Sequence, residues 1–333
     1  MATNSKNREI LILVLTLLLT AGILGLGWRY FPLLSGLMEG TESTNGNSSQ
    51  SLNNDPSSGS ESQPVSSFDL NTLDTSLPNP TVLTIDGSVT IVTLVIQLRN
   101  GYNFLNPSLP TTYGIPDGSP NGTNAGLRNL IDGKVLMAAS SRSLSGAELQ
   151  GGIVGVPIAR DALAVAVGVN NPYKGELTLE QLRLIFQGQI TNWSEVGGPN
   201  LPIKVINRSR DSGTHSFFQE SVLSGTEFAP DGANFTTVLK DETTPILRAL
   251  GNDGISYSTV TQIENQQTVR MVPINGISPT DRNAVKNGIY PISRVVYLAV
   301  PRQTSPAVKQ FLELALSPSG QAAVERAGFI PLQ

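Results

Sequence analysis

NRSRDSGTHSFFQE, Asn207–Glu220, sets an arginine four residues ahead of Ser-Gly-Thr and then runs into a helical pattern. A fixed cation, two hydroxyls and a glycine at a helix start suit an anion. The first turn of a helix leaves backbone N–H groups unpaired and carries partial positive charge. Glycine lets a ligand approach the backbone, and hydroxyls and guanidinium add donors at short range. The alternative is that Ser212 only caps the helix and Arg208 is a surface charge.

Around this stretch, from about Thr81 onward, short apolar runs alternate with helical patterns. TVLTI, VLMAA, ALAVAVGV, IKVIN and RVVYLAV read as buried strands. VTIVTLVIQLR, AGLRNLI, LTLEQLRLIF, TTPILRAL, PAVKQFLELAL and GQAAVERAG read as helices, several opened by Ser, Thr or Pro. The alternation implies an α/β architecture with mainly parallel sheets, in which ligands sit where strands end and helices begin. Three junctions fit. TIDGSVTIV leads from Leu83–Ile85 into Gly87, Ser88 and Thr90; PNGTNAGLRNL sets Gly122, Thr123 and Asn124 before a helix; VINRSRDSGTHSFF is the third. Together they suggest one shared anion pocket.

The chain has 333 residues, 39% hydrophobic content and a net charge of −4, enough to bury a core and form two domains or lobes. Its charged content is only 14%, and no basic patch carries interleaved aromatics, which argues against nucleic acid as a partner. With no cysteine, disulfides, thiolate-held zinc, iron–sulfur clusters and thiol nucleophiles are excluded. From Ile10 to Trp28 there is no charged residue, and at 1.5 Å each this stretch spans about 28 Å as a helix, close to a hydrocarbon core. Lys6 and Arg8 precede it, and Trp28, Tyr30 and Phe31 follow as an interfacial cluster. The pattern predicts a cytoplasmic N-terminus over 1–9, a transmembrane anchor over 10–28 and an exported body; a cleaved signal sequence is the alternative. Residues 29–80, Ser/Asn/Gly-rich over Gly40–Ser67, read as a disordered linker.

The longer runs have a family likeness. ITNWSEVGGPNLPIKVINRSRDSGTHSFF, GISYS, YPISRVVYLAV and FLELALSPSGQAAVERAGFIPL resemble, in order, segments of the substrate-binding proteins of ABC phosphate transporters, the PstS-like family. The resemblance covers Thr81 to Gln333. It implies a two-lobed periplasmic binding protein fold (type II) with hinge strands, lobe one being 81–161 plus 273–333 and lobe two 162–272. It also implies inorganic phosphate as ligand, ABC permease and ATPase subunits as partners, no cofactor, no enzyme activity and a monomer.

Residue by residue, the family's first hydroxyl loop matches Ser88, Thr90 and the Ile91 backbone. Its second turn matches Thr123, Asn124, Ala125 and Gly126, and its cationic cluster matches Arg208, Ser212, Gly213 and Thr214. One departure bears on selectivity. The family's proton-accepting aspartate corresponds to Ser141 in AASSRSLS, followed by Arg142. A hydroxyl accepts the phosphate proton but does not repel sulfate. Arg142 is either a second inward cation or a surface arginine. Three other readings bear on these residues. A hydrolase would pair Ser212 or Ser216 with His215, but neighbours on one helix turn are poorly placed for that and no Gly-x-Ser-x-Gly elbow occurs. A single histidine without clustered carboxylates offers few metal ligands. A non-transporting sensor or buffer of phosphate or another oxyanion such as sulfate keeps the same fold.

Overall fold

The computed structural model describes residues 68–332. The expected anchor, Ile10–Trp28, and the polar stretch up to residue 67 lie outside them. Among the described residues no helix is long and apolar enough to cross a membrane.

The chain begins with β1 (Leu83–Gly87), α1 (Val92–Leu105), β2 (Thr111–Tyr113), α2 (Thr123–Ile131), β3 (Met137–Ser140) and α3 (Gly146–Gln150). A long strand β4 (Ile153–Gly168) leads to α4 (Leu179–Phe186), β5 (Lys204–Asn207), α5 (Gly213–Ser221), β6 (Phe235–Thr237), α6 (Thr243–Arg248), β7 (Gly254–Thr259), α7 (Val260–Glu264) and β8 (Val269–Val272). It closes with α8 (Arg282–Lys286), β9 (Ser293–Pro301), α9 (Pro306–Leu316) and α10 (Pro318–Arg326).

The strands follow the order β2-β1-β3-β9-β4-β7-β5-β6, with β8 also on β4. Pairing is parallel within β2-β1-β3 and within β7-β5-β6, as the alternation predicts. It is antiparallel wherever β4 or β9 takes part, because these two strands cross between the lobes. Between Ala162 and Leu163 β4 changes partners. Up to Ala162 it pairs with β9, and from Leu163 with β7. Its sequence, IVGVPIARDALAVAVG, is apolar on both faces except at Arg160 and Asp161, as befits a strand covered on both sides.

Two main cores result. Leu83, Ile85, Leu98, Tyr102, Leu298, Phe311 and Leu312 anchor the first; Leu163, Val165, Phe186, Trp193, Phe218 and Tyr257 anchor the second. The α9 pattern shows how the first is built. Ser305 caps it, Pro306 opens it, and Ala307, Val308, Phe311, Leu312 and Ala315 fall on its buried face. In the second, Asn192 caps a short 3-10 turn that sinks Trp193, whose ring stacks on Tyr173 at 4.7 Å and whose Nε1 donates to the Asp253 carbonyl at 3.1 Å. Ile274, Ala284, Val285, Tyr290 and Ile292 also pack there, so the chain stays with the second core until β9.

The linker expected over 29–80 ends earlier than its composition suggests. Phe68 and Leu70 pack on the first core and Leu73 is buried in it. Asp74 and Leu77 exchange backbone hydrogen bonds with Arg302 and Thr304. Three apolar side chains spaced among polar residues are enough to dock this stretch.

Candidate functional site

Three helices start at strand ends without a side-chain cap: α1 after Ile91, α2 after Gly122, α5 after Ser212. Their first-turn N–H groups are therefore not taken up by capping side chains. The cap reading of Ser212 fails on this point. Its hydroxyl accepts from Arg208 Nε at 3.0 Å instead.

The three starts meet. Ser88 and Thr90 share a hydrogen bond of 2.8 Å at the α1 turn. Thr123, the first residue of α2, is 3.1 Å from the Ser141 hydroxyl at the end of β3. Thr214 donates to Thr90 across the lobes at 3.4 Å. A Cβ on Gly213 would lie under 3.0 Å from both the Thr123 and Ser141 hydroxyls, so only glycine allows α5 to come this close. The α2 start is set against β1 in the same way, since a Cβ on Gly126 would strike the Gly87 backbone. Of the residues expected from sequence, Ser88, Thr90, Ile91, Thr123, Ser141, Arg208, Ser212, Gly213 and Thr214 are all buried at this junction.

Arg208 is fully buried. Its Nη1 donates to Thr243 at 3.0 Å and Ser258 at 3.4 Å, and its Nη2 pairs with Asp241. A guanidinium has five N–H donors. With Nε on Ser212, one Nη2 N–H has no acceptor among the described residues.

Asn124 and Arg142 are not brought into this interior. Asn124 joins the lobes at the rim, its backbone N–H donating to the Asp211 carbonyl at 2.9 Å and its Nδ2 to the Arg210 carbonyl at 2.7 Å. Arg142 forks onto Glu148 at 2.9 and 2.7 Å and donates to Asn124 Oδ1. Burial alone would raise the Glu148 pKa, but the bonds from Arg142 and Ser145 outweigh it and hold the carboxyl below its ordinary range. Arg142 therefore braces α3 and the rim. Arg128 and Asp211 add an interlobe ion pair of 2.6 Å on the outside.

Four charged groups of the interior escaped the sequence reading: Asp241, Asp161, Arg294 and, beneath the β1 turn, Asp86. Arg294 on β9 faces Asp161 on β4 and forms an ion pair of 2.7 Å, with both side chains almost completely buried. Asp86 accepts from Asn121 and Asn129, which fixes the loop ahead of α2. A charge inside an apolar strand run, Asp161 in ARDALAVAVGV or Arg294 in SRVVYLAV, was the available signal. Buried charges are costly and persist where they are paired.

His215 is buried against Phe228, ring centroids 4.5 Å apart. Burial, then Arg210 and Arg208, lower its pKa to about 4. The hydroxyls a hydrolase would use are engaged elsewhere, Ser212 by Arg208 and Ser216 by Asn124.

A family model for the PBP superfamily domain matches residues 74–319. The chain belongs to the PBP superfamily. Phosphate-binding protein PstS of Borreliella burgdorferi is 27% identical to it over 267 residues, covering 77% of this superfamily member and 91% of the relative. Phosphate-binding protein PstS of a Pseudomonas aeruginosa strain is 28% identical, covering 74% and 81%. Among solved structures, one from Clostridium perfringens, assigned as a phosphate ABC transporter substrate-binding protein with bound phosphate, is 27% identical with a TM-score of 0.67, covering 76% of this chain and all of its own. These relatives are named as binding proteins, in line with the non-enzymatic reading.

Proposed function

We propose that this chain captures inorganic phosphate between its lobes and delivers it to the permease and ATPase subunits of an ABC importer. The observation that carries the reading is the buried convergence of three helix starts with hydroxyls and the one spare N–H of Arg208. Such a site holds an oxyanion by many short donors rather than by net charge. Its three buried carboxylates, Asp86, Asp161 and Asp241, already outnumber its two guanidiniums, and hydrogen bonds to a charged acceptor in a dry interior are the stronger kind. The bodies around the two cores act as the lobes of a clamp, with β4 and β9 as the connections. Ser88, Thr90, Ile91, Thr123, Ser141, Ser212, Gly213 and Thr214 surround the anion together with Arg208, while Asn124 and Arg142 shape the rim. Similarity to relatives named for phosphate binding supports the choice of ligand.

The folded body works outside the cytoplasmic membrane, tethered by Ile10–Trp28 and the polar stretch after it. The intact mass of the mature protein tests the tether, and a mass starting between about residues 25 and 40 would show a cleaved signal instead. Calorimetric titration of the full-length protein with phosphate, arsenate and sulfate tests the ligand. Saturable one-to-one phosphate binding is the result expected. No heat with phosphate, alongside tight binding of another anion, would reassign the receptor.

A further inference from the structure

We infer that Arg294 is a positioning residue that ties anion capture to lobe closure, gripping both lobes from a crossing strand. The inference rests on the anion-binding reading above. Its basis is the set of acceptors that the guanidinium reaches. Nε donates to Asp161 at 2.8 Å; Nη1 donates to the Ser141 carbonyl at 3.0 Å and to Thr214 at 2.9 Å; Nη2 faces Asp161 at 2.7 Å and Thr90 at 3.4 Å. Four of the five guanidinium N–H groups make hydrogen bonds, and the approach of Nη2 to Asp161 is an ion pair.

The acceptors are divided between the lobes. Ser141 and Thr90 belong to the β3 and β1 ends of the first. Thr214 belongs to α5 of the second, whose Phe217 ring also lies 5.6 Å from the guanidinium carbon. Asp161 is the cross-strand neighbour of Arg294 and also accepts from Thr259 at the end of β7. When α5 moves away from the α1 and β3 turns, Arg294 can keep one side of its fork but not both. The hinge strands themselves therefore register whether the hydroxyls that surround the anion are together. Burial lowers the Arg294 pKa, and Asp161 opposes that effect.

A lysine keeps the charge but is a point donor that cannot span these acceptors together. The chain has no cysteine, so spin labels placed by Ala147→Cys and Glu220→Cys, on α3 and α5, report the interlobe distance in the full-length protein. Arg294→Lys is expected to move the phosphate-free distance distribution to longer values and to raise the phosphate release rate on the order of tenfold, since such losses fall mainly on dissociation. An unchanged phosphate-free distribution would overturn the inference, whether or not affinity falls. Should Arg294→Lys fail to fold, Phe217→Ala decides: longer distances support the coupling, and unchanged ones refute it. A shift without any phosphate binding by the wild type would sink the phosphate reading and leave the hinge role standing.

Discussion

Arg208 and Arg294 are both buried against a carboxylate, and each makes four N–H hydrogen bonds among the described residues. Truncating Arg208 to alanine leaves Asp241 buried without its cation and removes a donor from the anion. Arg208→Ala should lose about 2–5 kcal/mol of phosphate binding, well over tenfold, measured by titration; wild-type affinity would remove Arg208 from the site. In the proposed site, Ser141 is the residue that would read selectivity. A hydroxyl can accept the proton that phosphate keeps near neutral pH, whereas a carboxylate both accepts it and repels an anion without one. Ser141→Asp should therefore weaken sulfate binding more than phosphate binding in competition titrations, and equal effects would mean that Ser141 does not meet that proton. His215 tests the packing beside the site. Its folded pKa, about 4, lies below its ordinary 6.5, so the unfolded chain binds the extra proton between those values. Stability from this residue is then full above about pH 6.5 and falls as pH drops toward 4, by on the order of 3 kcal/mol at most. Urea midpoints for wild type and His215→Gln should converge over that window. The Arg208 cluster was legible because its residues sit together in the sequence. Asp241 was not, because in KDETT it reads as an ordinary helix-start acid.

The helix starts, as elements, combine close approach with first turns that no side chain caps. A methyl at Gly213 has no room between Thr123 and Ser141, and overpacking of this kind costs roughly 1–3 kcal/mol. Because the contact crosses the lobes, Gly213→Ala is expected to weaken phosphate binding about tenfold or more while moving the melting temperature little. A large melting loss with unchanged affinity would show instead that α5 is fixed within its own lobe. Most elements follow directly from apolar period and cap chemistry, as with α9 behind Ser305 and Pro306. Asn124 and Arg142 were harder to assign. Their sequence neighbours face inward, and only the fold shows Glu148 of α3 drawing Arg142 to the rim. The end of the linker was hidden for a related reason. Phe68, Leu70 and Leu73 are too sparse to form a periodic element and are ordered by the core they reach.

At the level of the whole molecule, two bodies share two crossing strands, and the proposed anion site lies where both present strand ends. That arrangement was legible from the alternation of strands and helices and from the family likeness. The charges on the crossing strands were not, since Asp161 and Arg294 meet only through the β4–β9 register. In the proposed function, phosphate lies enclosed at this junction. A crystal structure of the full-length protein grown with phosphate tests it most directly. A tetrahedral anion is expected between the starts of α1, α2 and α5, within hydrogen-bond reach of Arg208 Nη2 and of the Ser88, Thr123 and Thr214 hydroxyls. Phosphate bound elsewhere, or a junction closed around no anion at saturating phosphate, would contradict it.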